Sequence, residues 1–200
     1  MNRRSARSAL ILGGGKSLRM GYDKKKLALS GAPVMENLIT ALTGIFKEVL
    51  VSSNGPFAHP LARVIPDSIG AGPLAGIYQG LACCESACLY VTACDMPFIS
   101  RPYIEYMREI IRAEDIDACL AARADGFREP FNGFYHKSCR EPLYNALSRG
   151  EYKISLLLDK LKLHIIPPEV VKQYGADLFF NINTPEDLAR ALRAPFDDSP

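Results

Sequence analysis

The sequence predicts an α/β protein, a single-domain three-layer α/β/α arrangement around a mostly parallel sheet. Three observations predict it. Short apolar runs recur along the chain, each followed by a loop marked with glycine or proline and then by a segment of helical period, the rhythm of stacked βα units. With 200 residues, 48% of them hydrophobic, the chain can bury one full core. No internal repeat, low-complexity tract or interdomain linker interrupts the pattern, so residues 1–194 read as one domain and residues 195–200 as a short tail.

In order, residues 9–12 read as the first strand and residues 33–46 as a helix, with Pro33 near its first turn and Leu38, Ile39, Leu42 and Ile45 on one face. Strands follow at 48–51 and 63–65. Gly72 and Pro73 open a helix that turns Leu74, Ile77, Tyr78 and Leu81 to the core, and residues 87–92 form a central strand. The spacing then predicts a helix over 101–113, strands at 118–122 and 131–135, helices over 137–148 and 154–161, and strands at 164–166 and 178–182. Thr184, Pro185, Glu186 and Asp187 start the last helix, since a hydroxyl cap, an early proline and two acids all suit its positive end.

The charge balance excludes several function classes. Lys and Arg number 24 against 22 Asp and Glu, a net charge of +2, which gives no general electrostatic attraction to nucleic acid or to an anionic membrane. Six cysteines, without a C-x-x-C pair and mostly within apolar runs, read as packed thiols of a reducing compartment. The basic start MNRRSARSAL meets glycine after only a short apolar stretch, so neither a signal peptide nor a membrane span is expected, and the expected location is cytoplasmic.

The chemistry concentrates after the first strand. Leu12, Gly13, Gly14, Gly15, Lys16, Ser17, Leu18, Arg19, Met20 and Gly21 form a glycine loop whose amides can approach an anion closely. It is not a P-loop, because the required first glycine would fall at Leu10, and the dinucleotide fingerprint fails at Leu18. The loop runs on into Asp23, Lys24, Lys25 and Lys26, so Lys16, Arg19 and a lysine of that run can reach one polyphosphate and neutralise the charge that builds during phosphoryl transfer.

Residues 12–29, with G-G-x-S-x-R-M-G-x-D-K followed by Leu27 and Leu29, resemble the signature of nucleotidyltransferases that serve molybdopterin and, more broadly, of sugar-phosphate nucleotidyltransferases. Gly72, Pro73, Leu74, Ala75 and Gly76 resemble the guanylyltransferase (MobA) branch. The segments from Cys94 to Phe98 and from Asn183 to Leu188 agree with the same family in the same order. The resemblance implies a Rossmann-like sheet of the nucleotide-diphospho-sugar transferase type. It implies GTP and a molybdopterin-type cofactor as substrates, with GMP moved to the pterin phosphate, and transient contacts with other molybdenum cofactor proteins. It assigns catalysis to Lys24, Arg19 and Asp95, and nucleotide contacts to Leu12, Gly13, Gly14, Gly15, Lys16, Ser17, Lys24, Asp67, Gly72, Pro73, Leu74 and Asp95. It also gives Asp95 a Mg²⁺ ion. One departure is visible: the family's L-A-G-G is here L-G-G-G, and the lost methyl at Gly13 is expected to loosen the loop.

Asp95 lies just beyond an apolar strand, at the carboxyl end where open α/β sheets bind ligands, and one aspartate with phosphate oxygens and water satisfies Mg²⁺. The acceptor side is expected among polar residues near later strand ends, from Arg128 to Tyr135 and at Lys153, Asn181 and Asn183, with Asn181 and Asn183 foremost. His59, His136 and His164 are far apart and have no partner motif, so no catalytic histidine is expected. The alternatives are a cytidylyltransferase acting on the same pterin, a sugar-phosphate nucleotidyltransferase, and a non-catalytic nucleotide-binding maturation factor for molybdoenzymes.

Overall fold

Period-two alternation along the strands divides the apolar residues between two cores. In β1 (Ser8–Leu12), Ala9 and Ile11 face one side while Leu10 and Leu12 face the other, and the two sets belong to separate buried clusters. The computed structural model describes residues 4–13, 28–29, 32–53, 57–66 and 72–193. Its strands are β1, β2 (Ala28–Leu29), β3 (Ala32–Pro33), β4 (Glu48–Ser53), β5 (Arg63–Pro66), β6 (Cys88–Ala93), β7 (Ala118–Ala122), β8 (Arg128–His136) and β9 (Leu163–Ile166). Seven of them form one sheet in the order β5-β4-β1-β6-β8-β7-β9. All pairs in it are parallel except the two that β8 makes, with β6 and with β7, so the sheet is mostly parallel with one reversed strand.

Helices cover both faces. Helices α1 (Val34–Thr43) and α3 (Arg101–Ala113) bury Leu38, Ile39, Leu42, Tyr103, Ile104, Met107 and Ile111 against Ile11, Val49, Val51, Tyr90 and Phe134. On the other face, α2 (Pro73–Cys83), α4 (Arg140–Ser148) and α5 (Ile154–Leu158) pack Leu74, Ile77, Leu81, Leu143 and Leu157 on Leu10, Leu12, Leu50, Leu89 and Leu120. Helix α2 sits close because two of its residues lack side chains. A methyl at Gly80 would meet Leu10 Cδ2 at 2.6 Å, and one at Gly76 would meet Leu12 Cδ2 at 2.5 Å. Two further helices, α6 (Pro168–Val171) and α7 (Pro185–Arg193), complete the first face with buried Val171 and Ala191. Among the described residues no helix is long and apolar enough to cross a membrane.

Several expected bounds shift. Residues 178–182 are not a strand: they form turns and an irregular segment, because Leu178 and Ile182 are drawn into the α3 core while Phe179 and Phe180 make ring contacts with Tyr103 and Phe98. The expected helix over 137–148 begins as a 3-10 turn at Lys137–Cys139, α5 ends at Leu158, and α1 ends at Thr43. The start of α7 is as read: Thr184 Oγ1 accepts the Asp187 amide at 3.0 Å, and the Asp187 carboxylate accepts the amides of Asn183 and Thr184 at 2.9 Å each.

Two polar networks fix the strands, one part-buried and one buried. Glu48, at the amino end of β4, accepts hydrogen bonds from the Ser8 hydroxyl on β1, the Glu85 amide and the Arg63 guanidinium on β5. Burial alone would push the Glu48 carboxyl up, but these three bonds and the Arg63 charge outweigh it and hold it below the usual value of 4.5. Asn132, in the middle of β8, is 1% exposed and has φ 50°. Asparagine tolerates this left-handed backbone better than most residues. Its Oδ1 accepts the hydroxyls of Tyr90 at 2.9 Å and Thr92 at 2.8 Å, and its Nδ2 donates to the Leu178 carbonyl.

Each network carries an expected outcome. Because Glu48 has a lowered folded value, its contribution is complete above the unfolded value near 4.5 and is lost as pH falls through the lower folded one. Urea titrations across pH should therefore show Glu48→Gln clearly less stable than the parent at pH 7 and the two converging toward pH 2. Asn132→Ala strands two buried hydroxyls and a carbonyl and should cost about 3 kcal/mol in urea unfolding, against about 1 kcal/mol for Thr92→Val.

Candidate nucleotide-transfer site

The site is built where β1 and β6 end. Their parallel register sets Leu12 beside Ala93, and the next amide, Cys94 N–H, donates to the Leu12 carbonyl at 3.1 Å. Asp95 follows in the turn. On the other side of β1, Gly13 N–H donates to the Ser52 carbonyl at 2.9 Å, extending the pairing of β1 with β4 by one residue. Leu12, Gly13 and Asp95 therefore stand together at the carboxyl edge of the sheet. The sequence expected Gly13 to loosen this point, but the chain is close-packed there. A methyl on Gly13 would meet Ser52 O at 2.7 Å and Met35 Cε at 3.3 Å, so glycine lets the backbones approach.

The other expected nucleotide contacts divide by position. Gly72 precedes α2 with φ 75°, no side chain caps that helix, and Pro73 occupies its first turn. Packing of Gly76 against Leu12 and Ser52 brings the helix's amino end to the same edge, where its positive dipole end favours an anion. The Leu74 side chain is fully buried in the core, so only its backbone can face a ligand. Leu12 is likewise a core side chain, and its carbonyl already accepts one hydrogen bond. Gly14, Gly15, Lys16, Ser17, Arg19, Lys24 and Asp67 lie outside the described residues.

The acceptor candidates arrive by a different route. Ile182 N–H donates to the Asp95 carbonyl at 2.8 Å, which ties the residues on either side, Asn181 and Asn183, to the Asp95 turn. Asn181 is half-buried, with Nδ2 donating to the Phe179 carbonyl at 3.3 Å, and Asn183 is exposed at the start of α7. The same segment is held from below by Asn132 through Leu178. Asn132 thus connects the strand that leads to Asp95, through Thr92 and Tyr90, to the segment that carries the two asparagines.

Two residues of this region fall within the stretch from Arg128 to Tyr135 expected on the acceptor side but were not named singly from sequence. One is Asn132. The other is Glu129, which is 2% exposed on β8 and accepts from Arg123 Nε at 2.9 Å and from Arg123 Nη2. Burial pushes the Glu129 carboxyl up, the Arg123 hydrogen bonds and charge oppose it, and the charge of Asp95 adds to the rise, for a net value above the ordinary one. The Asp95 carboxylate is thus close enough to be felt by Glu129. A polar residue inside the apolar run of β8 was the available signal for each, since a buried amide or carboxylate must find partners.

The cysteines are free thiols, with Cys84, Cys88, Cys119 and Cys139 buried. Burial pushes the thiol of Cys84 up to about 11 and those of Cys88 and Cys119 up to about 12, which suits packing rather than nucleophilic chemistry.

Comparisons agree with this geometry. The MobA-like NTP transferase domain matches residues 9–164, which contain the whole of the β1–β6 edge. A probable molybdenum cofactor guanylyltransferase of Peptoclostridium acidaminophilum is 34% identical over 96% of this chain and 91% of its own. A molybdenum cofactor guanylyltransferase of Syntrophotalea carbinolica is also 34% identical, over 93% and 90%. Among solved structures, the molybdopterin-guanine dinucleotide biosynthesis protein A of Archaeoglobus fulgidus superposes with TM-score 0.78 at 27% identity, covering 92% of this chain and 96% of that one. A 2-C-methyl-D-erythritol 4-phosphate cytidylyltransferase from Thermus thermophilus, at TM-score 0.71 and 18% identity over 94% and 98%, shares the fold. With the family's domain matched over more than half its length, and relatives of that identity along nearly all of it, this chain belongs to the MobA-like NTP transferase family.

Proposed function

We propose that this chain is a molybdenum cofactor guanylyltransferase, which moves GMP from GTP to the terminal phosphate of a molybdopterin-type cofactor. The observation that carries the reading is the meeting of Leu12, Gly13 and Asp95 at one edge, with the amino end of α2 beside them. The names of the relatives supply the nucleotide and the pterin. In the reaction an oxygen of the pterin phosphate attacks the α-phosphorus of GTP, a new P–O–P link forms, and the bond from the α-phosphorus to its bridging oxygen breaks. Pyrophosphate leaves with the electron pair.

The attacking phosphate is anionic near neutral pH, so the site needs no strong general base. Positioning and charge stabilisation carry the rate. Lys16, Arg19 and Lys24 are assigned to the triphosphate, with Lys24 and Arg19 opposing the charge that builds on the departing pyrophosphate. Asp67 is assigned to the nucleotide, and Asn181 and Asn183 to the pterin.

The donors present fit a magnesium ion. Among the described residues no three His, Cys, Asp or Glu side chains cluster as a metal cage, whereas Mg²⁺ bound with a nucleotide needs one or two carboxylates and takes its remaining oxygens from phosphate and water. Asp95 would hold it, and when bound it would supply positive charge to the phosphates.

Pyrophosphate release on mixing the protein with GTP, Mg²⁺ and phosphorylated pterin is the direct test, and absence of release overturns the reading. Lys24→Ala and Asp95→Ala should each lower turnover by at least about 100-fold, as expected for loss of a group that stabilises transferring charge, with the urea midpoint kept near that of the parent. Near-normal turnover in either variant removes its assigned role. Run side by side, GTP should be used at least about ten-fold better than CTP, ATP or UTP, and equal use of CTP would make the protein a cytidylyltransferase.

A further inference from the structure

Beyond Asp95, the carboxyl edge of the sheet carries an exposed aromatic ring that core packing does not explain. Phe127 is 48% exposed in the turn that joins β7 to β8. The turn itself is well defined. Arg123 N–H donates to the Phe127 carbonyl at 2.8 Å, Gly126 N–H donates to the Arg123 carbonyl at 2.9 Å, and Phe127 N–H donates to Asp125 Oδ1 at 2.9 Å. Gly126, at φ 83°, supplies the left-handed residue the turn requires. The Arg123 guanidinium lies over the phenyl ring at 5.3 Å and is itself anchored to buried Glu129 through Nε and Nη2. Among the described residues its Nη1 has no hydrogen bond. The ring is thus held in place on the protein side while about half of the residue's surface stays open.

Its position along the edge gives the ring a use. β7 runs parallel to β6 with β8 between them, so Ala122 and Asp95 follow strand ends on the same side of the sheet. Gly13, at the end of β1, lies on one side of Asp95, and the turn carrying Phe127 lies on the other. Two strand spacings separate β6 from β7, about 10 Å along the edge. In a direct displacement at the α-phosphorus, pyrophosphate and the attacking phosphate occupy opposite sides. With the triphosphate on the Gly13 side, as the guanylyltransferase reading has it, the acceptor would enter from the β8–β7 side, with its phosphate near Asp95 and its ring system one to two strands further on.

We propose that Phe127, backed by Arg123, forms the shelf on which the flat heterocycle of the acceptor stacks. The inference rests on the guanylyltransferase reading for the identity of the acceptor. A phenyl face with a guanidinium behind it suits a planar, polar ring, and stacking of this kind tolerates Tyr or Trp but not an aliphatic side chain.

The test measures binding and transfer separately. Equilibrium binding of molybdopterin, followed by titration calorimetry, should weaken about ten-fold in Phe127→Ala and stay within about two-fold of the parent in Phe127→Tyr. In steady-state pyrophosphate release, Phe127→Ala should raise the pterin KM by a similar factor and leave the GTP KM unchanged, a split that general loss of structure would not produce. Unchanged pterin affinity in Phe127→Ala, or absence of pterin binding to the parent, overturns the shelf. Phe127-dependent pterin binding without pyrophosphate release leaves the shelf standing and overturns the transfer reaction instead.

Discussion

The structure depends on the in-register parallel pairing of β1 with β6, prolonged by the hydrogen bond from the Cys94 amide to the Leu12 carbonyl. A slip of one residue in that ladder would exchange the two faces of β1, sending Leu10 and Leu12 into the α1 and α3 layer and Ile11 into the α2 layer. Since Gly76 and Gly80 leave only enough room for Leu12 and Leu10 on their side, the register is fixed by packing as well as by hydrogen bonds. The same constraint fixes where chemistry can occur. Once the core sets the register, the chain after Leu12 and the chain after Ala93 emerge side by side, and a phosphate-holding loop and a carboxylate can serve one ligand.

From that edge the site extends by hydrogen bonds rather than by further core. Asp95 holds the 178–183 segment through its carbonyl, Asn132 holds the same segment through its side chain, and α7 is started by the Thr184 and Asp187 cap directly after Asn183. These bonds sit in a region poor in histidine and rich in amides and carboxylates. That composition suits a reaction whose nucleophile is already charged. A basic side chain poised near neutral pH would add little, whereas misplacing the α-phosphorus by a fraction of an ångström would cost rate directly.

Much of the fold was legible because the local signals agree with the tertiary result. The apolar runs that became β1, β4, β6 and β7 lie within a residue or two of their read bounds, and α3 matches its read range, with Ser100 capping it and Pro102 in its first turn. The direction of β8 was not legible. Whether a strand runs with or against its neighbours is decided by where the chain crosses, and residues 123–127 close a short turn instead of a helical crossover. Residues 178–182 deceived for a related reason: their apolar character is real, but it is spent on rings and on α3 rather than on a ladder. Asp95 was readable from its place after a strand. The stretch holding Asn132 and Glu129 was read as an acceptor candidate, but their role as buried connectors was not, because it is set by partners on β6, before α7 and across the Arg123 turn that only the fold brings together.

Glu129 is a buried carboxylate near the site, and its surroundings give it a use. An isolated buried carboxylate would be strongly disfavoured, and here its partner, Arg123, is 38% exposed at the turn while the carboxylate side chain is only 3% exposed. The pair therefore draws a flexible, solvent-facing guanidinium down onto a rigid strand, and stability alone would be served as well by an apolar pair of the same volume. What the ion pair adds is orientation: it fixes the guanidinium over Phe127. With the acceptor phosphate and the nucleotide both anionic in the proposed reaction, a cation held on the acceptor side lowers the repulsion between two ligands that must meet. In the proposed reaction, Lys16, Arg19 and Lys24 are the residues assigned the same service on the nucleotide side.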